Sequence, residues 1–363
     1  MKVLHVCSTA NFGGIEKLTY DLTKALSNNK NVSVELLVLN GKGDFLKQFK
    51  ELNFPCHFSS ISGGYDLSFW KYFKLYALLK KYDVVNLHSF NLLFSAMLFF
   101  VNAKIVYTMH SVQGEGRIKR KLGGLKRSLQ LIFLNKFVDY ITFNSNYTLD
   151  YWSPYLTNQN AKVVYNGVDL SSISSELSSP EGFEHSNKFI IGTSSRLVAW
   201  KRVDLLIDVF AQVLRNTDND ILLLIVGDGP EMDNLIALAD SLNISEKVVF
   251  TGYKKNVRDY QNCMDLCVFP STTETFGLVA IETLLLGKPT VVLNDGGGIA
   301  EIVGKAFPHD VVNGKAGLLE RGLFYVNDYK TDQFLVNKRI EYAKTYNIDE
   351  MANNFVKIYE SIL

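Results

Sequence analysis

A chain of 363 residues with 47% hydrophobic and 21% charged residues has material for two folded cores, and its formal net charge of +1 excludes a global electrostatic pull towards nucleic acid. Its few cysteines, Cys7, Cys56, Cys263 and Cys267, form neither a C-x-x-C pair nor a Cys/His cluster at metal-ligand spacing, which predicts a reduced, cytoplasmic setting. The first apolar run, residues 3–7, is too short for a secretory signal, and the most apolar run, residues 92–101, is about half of the roughly 20 residues that a membrane-spanning helix needs.

Short runs rich in Val, Ile and Phe alternate with longer stretches of helical period, the pattern of repeated βα units around a parallel sheet. The first half predicts strands at 3–7, 34–39, 84–88, 105–109, 140–143 and 163–165, with helices at 15–26 and 122–134 among the connections. Six of the nine residues 171–179 are serine, followed by Pro180-Glu181-Gly182, so a domain boundary is placed there. The pattern then repeats, with strands predicted at 189–194, 221–226, 248–251, 266–269 and 290–293 and a final amphipathic helix at 348–363.

Several strand-to-helix loops carry candidate binding groups. Gly13 and Gly14 follow the first strand and permit close approach of a phosphate or sugar, although the dinucleotide fingerprint G-x-G-x-x-G is incomplete, which removes support for a dehydrogenase. His88 and His110 end two predicted strands, where the carboxyl edge of a parallel sheet collects ligands. Residues 117–127 hold six basic and no acidic side chains, a candidate surface for an anionic membrane or else a solvated loop. Arg196 and Lys201 share one loop and together suit a diphosphate. Asp218-Asn219-Asp220 imitates a D-x-D metal site but reads as a turn before a strand.

The strongest local signal runs from Glu274 to Glu282 and follows the predicted strand 266–269. Backbone amides of Phe276, Gly277 and Leu278 at the helix start would receive negative charge, and Glu282 would lie about two turns inside the helix. Two carboxylates so placed suit sugar and ribose hydroxyls, each accepting more than one hydrogen bond.

In order along the chain, Gly13-Gly14-Ile15-Glu16, Thr108-Met109-His110, Asn166-Gly167-Val168-Asp169, Ser195-Arg196 with Lys201, Gly227-Asp228-Gly229-Pro230, Thr251-Gly252-Tyr253 and Glu274 to Glu282 resemble the family-4 retaining glycosyltransferases of GT-B architecture. The resemblance implies an α/β fold of two Rossmann-like parallel-sheet domains facing each other across a cleft. The expected division is residues 1–170, a linker at 171–187, residues 188–344, and a helix at 345–363 that packs back on the first domain.

It further implies roles for particular residues. Arg196 and Lys201 would hold the donor diphosphate, Glu282 the ribose and Glu274 the transferred sugar. Gly14 and His110 would approach phosphate or sugar from the first domain, and the Tyr253 backbone would lie by the base. The implied reaction moves a hexose or N-acetylhexosamine from a nucleotide-sugar, UDP-linked by preference, to a glycan or lipid-linked acceptor of surface polysaccharide or lipopolysaccharide. Retention is expected, with no metal or other cofactor and no nucleic-acid partner. A nucleotide-sugar epimerase or hydrolase of the same plan, and a non-catalytic binding subunit, are the alternatives.

Overall fold

Apolar runs at the predicted positions form strands in two all-parallel sheets. In the computed structural model, residues 1–11, 13–51, 54–61, 69–112, 121–157, 160–173, 178, 180 and 188–363 are described. The chain divides into one unit made of Met1–Leu170 with Tyr346–Leu363 and another made of Ser171–Thr345.

The first unit contains β1 (Lys2–Thr9), β2 (Ser33–Asn40), β3 (Cys56–Phe58), β4 (Val84–Leu87), β5 (Lys104–Met109), β6 (Tyr140–Phe143) and β7 (Ala161–Val163), in the order β3-β2-β1-β4-β5-β6-β7. Val3 sits opposite Val34 on one side and Val84 on the other. The second contains β8 (Phe189–Ser194), β9 (Ile221–Val226), β10 (Val248–Phe250), β11 (Leu266–Phe269), β12 (Thr290–Leu293) and β13 (Val311–Val312), in the order β10-β9-β8-β11-β12-β13. All six residues of β9, Ile-Leu-Leu-Leu-Ile-Val, are buried, because helices cover both faces of a parallel sheet and leave no polar alternation to show.

Helix Val203–Arg215 buries Val203, Leu206, Ile207, Phe210 and Val213, a stripe at helical spacing that faces the second core. The last helix, Ile348–Ile362, belongs to the first unit. Its Met351, Phe355 and Tyr359 pack in one cluster with Leu18, Leu22 and Leu26 of helix Gly14–Ser27. Asn347 caps it, its side chain accepting from the Asp349 amide at 2.9 Å, and the Ile348 amide donates to the Val168 carbonyl at 3.0 Å.

Three features differ from expectation. The edge strands β3 and β13 have three and two residues, too few to show a period in the sequence. Strand β7 begins two residues before the expected 163–165, because its place is set by pairing of Ile141 with Ala161 and not by its own apolar run. The helix expected at 122–134 spans Lys121–Lys136, while Arg117, Lys119 and Arg120 of the basic segment, like most of the expected linker, lie outside the described residues. Among the described residues no helix is long and apolar enough to cross a membrane.

Candidate functional site

Strand order in the second sheet reverses between β8 and β11, so the loops that leave those strands diverge at their carboxyl ends and open a place for a ligand. Lys201 lies in the first loop and Glu274 in the second, and Lys201 Nζ is paired with Glu274 Oε2. The side chains are only 13% and 17% exposed, so this pair is screened far less than a surface one. Backbone bonds fasten the same loops. The Thr272 amide donates to the Trp200 carbonyl at 3.0 Å, the Glu274 amide to Gly296 at 3.0 Å, and the Gly298 amide to Glu274 at 2.6 Å.

Among the described residues only Arg202, Asn243 and Thr273 are non-glycine residues with positive φ. Two of these three directly adjoin the pair, Arg202 at 52° after Lys201 and Thr273 at 58° before Glu274. Backbone strain of this kind persists where the surroundings over-determine a loop, and here it presents two charged groups to each other.

Helix Leu278–Leu285 starts immediately beyond, with no side chain capping its first turn. Gly277 precedes it at φ 90°, and a Cβ there would stand 2.5 Å from the Ile299 side chain, so only glycine fits. The Phe276 ring is buried at 2% exposure and anchors the turn, while Leu278 is half-buried. Because the helix begins at Leu278, exposed Glu282 lies about one turn inside it rather than two. The Arg258 guanidinium is held below the usual arginine range by burial, which the charges of Asp259 and Glu282 oppose.

Arg196 is exposed, and its neighbours bind the loop after β9: the Ser195 amide donates to Val226 at 3.0 Å and the Leu197 amide to Asp228 at 2.9 Å. Gly227, at φ 135°, allows this approach, since a Cβ there would collide with the Ser195 carbonyl. The Gly227 amide in turn donates to Gly252 at 3.0 Å, beside Tyr253, whose side chain is 62% exposed. Arg196, Lys201, Tyr253, Glu274, Phe276, Gly277, Leu278 and Glu282 are thus gathered on loops and a helix start at one sheet edge. Asp220 is not among them. It precedes β9 at the opposite edge and pairs with Lys188 at 3.7 Å and Lys247 at 2.7 Å, an ordinary structural role.

Gly13, Gly14 and His110 lie in the first unit. Gly13 caps helix Gly14–Ser27 and would, with a Cβ, come within 2.6 Å of Glu16 Oε2; at Gly14 a Cβ would meet nothing within 4 Å. Thr9 Oγ1 donates to Glu16 Oε1 at 2.6 Å and holds that carboxylate over the loop. His110 follows β5, with its ring stacked on His88, which is stacked in turn on His5. Sequence reasoning passed over His5, a mid-strand residue, and Tyr359, its hydrogen-bond partner 354 residues away. No local spacing links the two.

Residues 175–321 match the family described as Glycosyl transferases group 1, and residues 12–172 match Glycosyltransferase Family 4. N-acetyl-alpha-D-glucosaminyl L-malate synthase of Bacillus anthracis is 34% identical over 151 residues, 40% of this chain and 38% of that protein. The O-antigen biosynthesis glycosyltransferase WclY of Escherichia coli is 24% identical over 234 residues, 60% of this chain and 62% of that one. These alignments therefore span less than two thirds of either relative. The crystal structure of Anabaena HepE in complex with UDP and glucose superimposes with a TM-score of 0.82 at 20% identity, covering 99% of this chain and 100% of that one, a likeness of fold.

Proposed function

The chain belongs to the group 1 glycosyltransferases of GT-B fold, and on that premise we propose that it transfers a hexose or N-acetylhexosamine from a nucleotide-sugar, UDP-linked by preference, to a glycan or lipid-linked acceptor. The observation that carries this reading is the Lys201–Glu274 pair at the switch point, beside a helix start without a side-chain cap. Arg196 and Lys201 take the diphosphate, Glu274 the hydroxyls of the transferred sugar, Glu282 the ribose, and the Tyr253 backbone lies near the base. Gly14 and His110 serve the phosphate and sugar from the first unit. The HepE complex with UDP and glucose, and the O-antigen role in the name of WclY, support the donor and acceptor classes.

Breaking the bond from C1 to the diphosphate leaves positive charge on the sugar and negative charge on the departing oxygen. Arg196, Lys201 and the amides at the start of helix Leu278–Leu285 stabilise that oxygen with preorganised charge and dipoles, so a metal ion is not required for the purpose. The acceptor attacks from the face that the diphosphate leaves, and the departing oxygen takes the acceptor proton, so the anomeric configuration is retained. The test is a thermal-shift screen of UDP-, GDP- and ADP-sugars against the whole chain, followed by NMR of the product. A donor at 100 times its Kd stabilises the folded state by about 2.7 kcal/mol. UDP-sugars should give the largest shift and the product should keep the donor's anomeric configuration. An inverted product sinks retention, isomerised or free sugar from donor alone points to an epimerase or hydrolase, and tight binding without transfer points to a binding subunit.

The same reading places the protein on the cytoplasmic face of a membrane. Helix Lys121–Lys136 exposes Leu125, Ile132 and Lys126, and Phe99, Phe100 and Phe137 are exposed in the same unit. Apolar side chains beside cations suit an anionic lipid surface. Arg127 is excepted, because its guanidinium packs 4.5 Å from the Tyr155 ring centre. Charge reversal at Lys119 and Lys121 should lower co-sedimentation with anionic vesicles and leave neutral vesicles unaffected; unchanged binding returns the segment to a solvated loop.

A further inference from the structure

The Lys201 ammonium has two partners. Its Nζ pairs with Glu274 Oε2 and also lies over the Trp200 ring, 4.4 Å from the ring centre. Trp200 and Lys201 belong to one short helical turn, Ala199–Lys201, in which neighbouring side chains point roughly 120° apart. Their contact therefore requires the lysine stem to fold back over its neighbour. The Trp200 backbone is fastened from the facing loop, its carbonyl accepting from the Thr272 amide at 3.0 Å and from Thr272 Oγ1 at 3.5 Å. The indole thus rides on the same two loops that carry Lys201 and Glu274.

Tryptophan offers a cation the best of the aromatic faces, and the attraction grows as water is excluded. At 13% exposure the Lys201 side chain is mostly shielded, and Trp200, itself 44% exposed, forms part of that shield. An ammonium carries three N–H donors. Glu274 accepts from it and the indole face lies against it, and among the described residues the ammonium has no other polar partner. A diphosphate oxygen can therefore take a remaining N–H without first breaking the pair. A lysine held in advance also escapes the loss of rotamer freedom that a mobile one meets when a ligand immobilises it. The other use for such an indole, stacking on the base or sugar of a donor, is denied to the face that Lys201 already covers.

We propose that Trp200 is a positioning residue, whose indole face fixes the Lys201 ammonium beside Glu274 and so readies it for a diphosphate oxygen. The diphosphate rests on the glycosyltransferase reading; the hold on Lys201 does not. On this account the effect of Trp200 on binding passes wholly through Lys201.

Proton–carbon NMR of the lysine-labelled, ligand-free full chain tests the hold directly, with the Lys201 signal identified by its loss in Lys201→Met. Ring current from the indole should move the Lys201 ε-methylene to high field. That shift should vanish in Trp200→Ala and persist in part in Trp200→Phe. An ordinary position in the wild type overturns the proposal, whatever the ligand. Isothermal titration with the tightest binder among UDP, GDP and ADP then reads the consequence. Trp200→Ala should weaken binding about fivefold, the cost of immobilising one long side chain, and Trp200→Phe less than about twofold. In a Lys201→Met background Trp200→Ala should change affinity less than about twofold, since the residue through which it acts is gone. A loss that persists in that background means that the indole touches the ligand itself, and it overturns the proposal. Unchanged binding by Trp200→Ala alone does the same. A wild-type chain that shows the high-field signal and binds none of these diphosphates supports the hold on Lys201 and removes the glycosyltransferase reading.

Discussion

Glu274→Gln should lower kcat about 10²–10³-fold, the size of effect found when one preorganised transition-state contact is removed, while affinity for the free nucleotide changes only a few-fold. The glutamine keeps the shape and one carbonyl oxygen but loses the charge that opposes the cationic sugar. Pinning by Gly296 and Gly298 holds the Glu274 backbone in place, so the loss should appear in turnover and not in loop position. Lys201→Ala should act on binding, weakening the diphosphate about tenfold, or about 1.4 kcal/mol. Each substitution also leaves its partner largely enclosed and unpaired, so each should lower Tm on its own, and a double-mutant cycle should show positive coupling. Isothermal titration with UDP and steady-state rates separate these effects. Equal and small losses in both variants, with coupling confined to Tm, would reduce the pair to a structural one.

Phe355→Ala should destabilise the first unit by about 3–5 kcal/mol, the usual cost of emptying a fully buried aromatic site. Phe355 is 0% exposed and packs among Leu18, Leu22, Val84 and Tyr359, where the returning helix meets helix Gly14–Ser27 and the sheet. Its loss opens a cavity under the His5–Tyr359 contact, since its ring lies edge-on to His5 with centroids 6.4 Å apart. Hydrogen exchange should therefore accelerate in β1 and β4 while the amides of β8 and β9 keep their protection. A loss below about 1 kcal/mol would mean that the helix contributes little to the core it caps.

Much of the second sheet was legible. Strands at 189–194, 221–226, 266–269 and 290–293 coincide with β8, β9, β11 and β12 residue for residue, because a strand buried on both faces writes itself as an unbroken apolar run. Of the four edge strands, β10 was read at its place, whereas β3, β7 and β13 were missed or displaced, their limits being set by the neighbouring strand. The candidate loops were visible for a related reason. Charged and glycine residues directly after an apolar run mark the carboxyl edge of a parallel sheet, where backbone groups are free of the ladder. The ion pair between Lys201 and Glu274 was not visible, since two loops 73 residues apart meet only when β8 and β11 lie side by side.

By itself the sequence determined the kind and order of the elements, the two-fold repeat of the βα pattern and the positions where charge follows a strand. These follow from periodicity and backbone chemistry that act over a few residues. The tertiary structure alone decided the strand order, the facing of Lys201 and Glu274 and the return of Tyr359 to His5. Such pairings depend on closing long stretches of chain into one packed body, where a buried donor must find its acceptor, and no short window of residues encodes that closure.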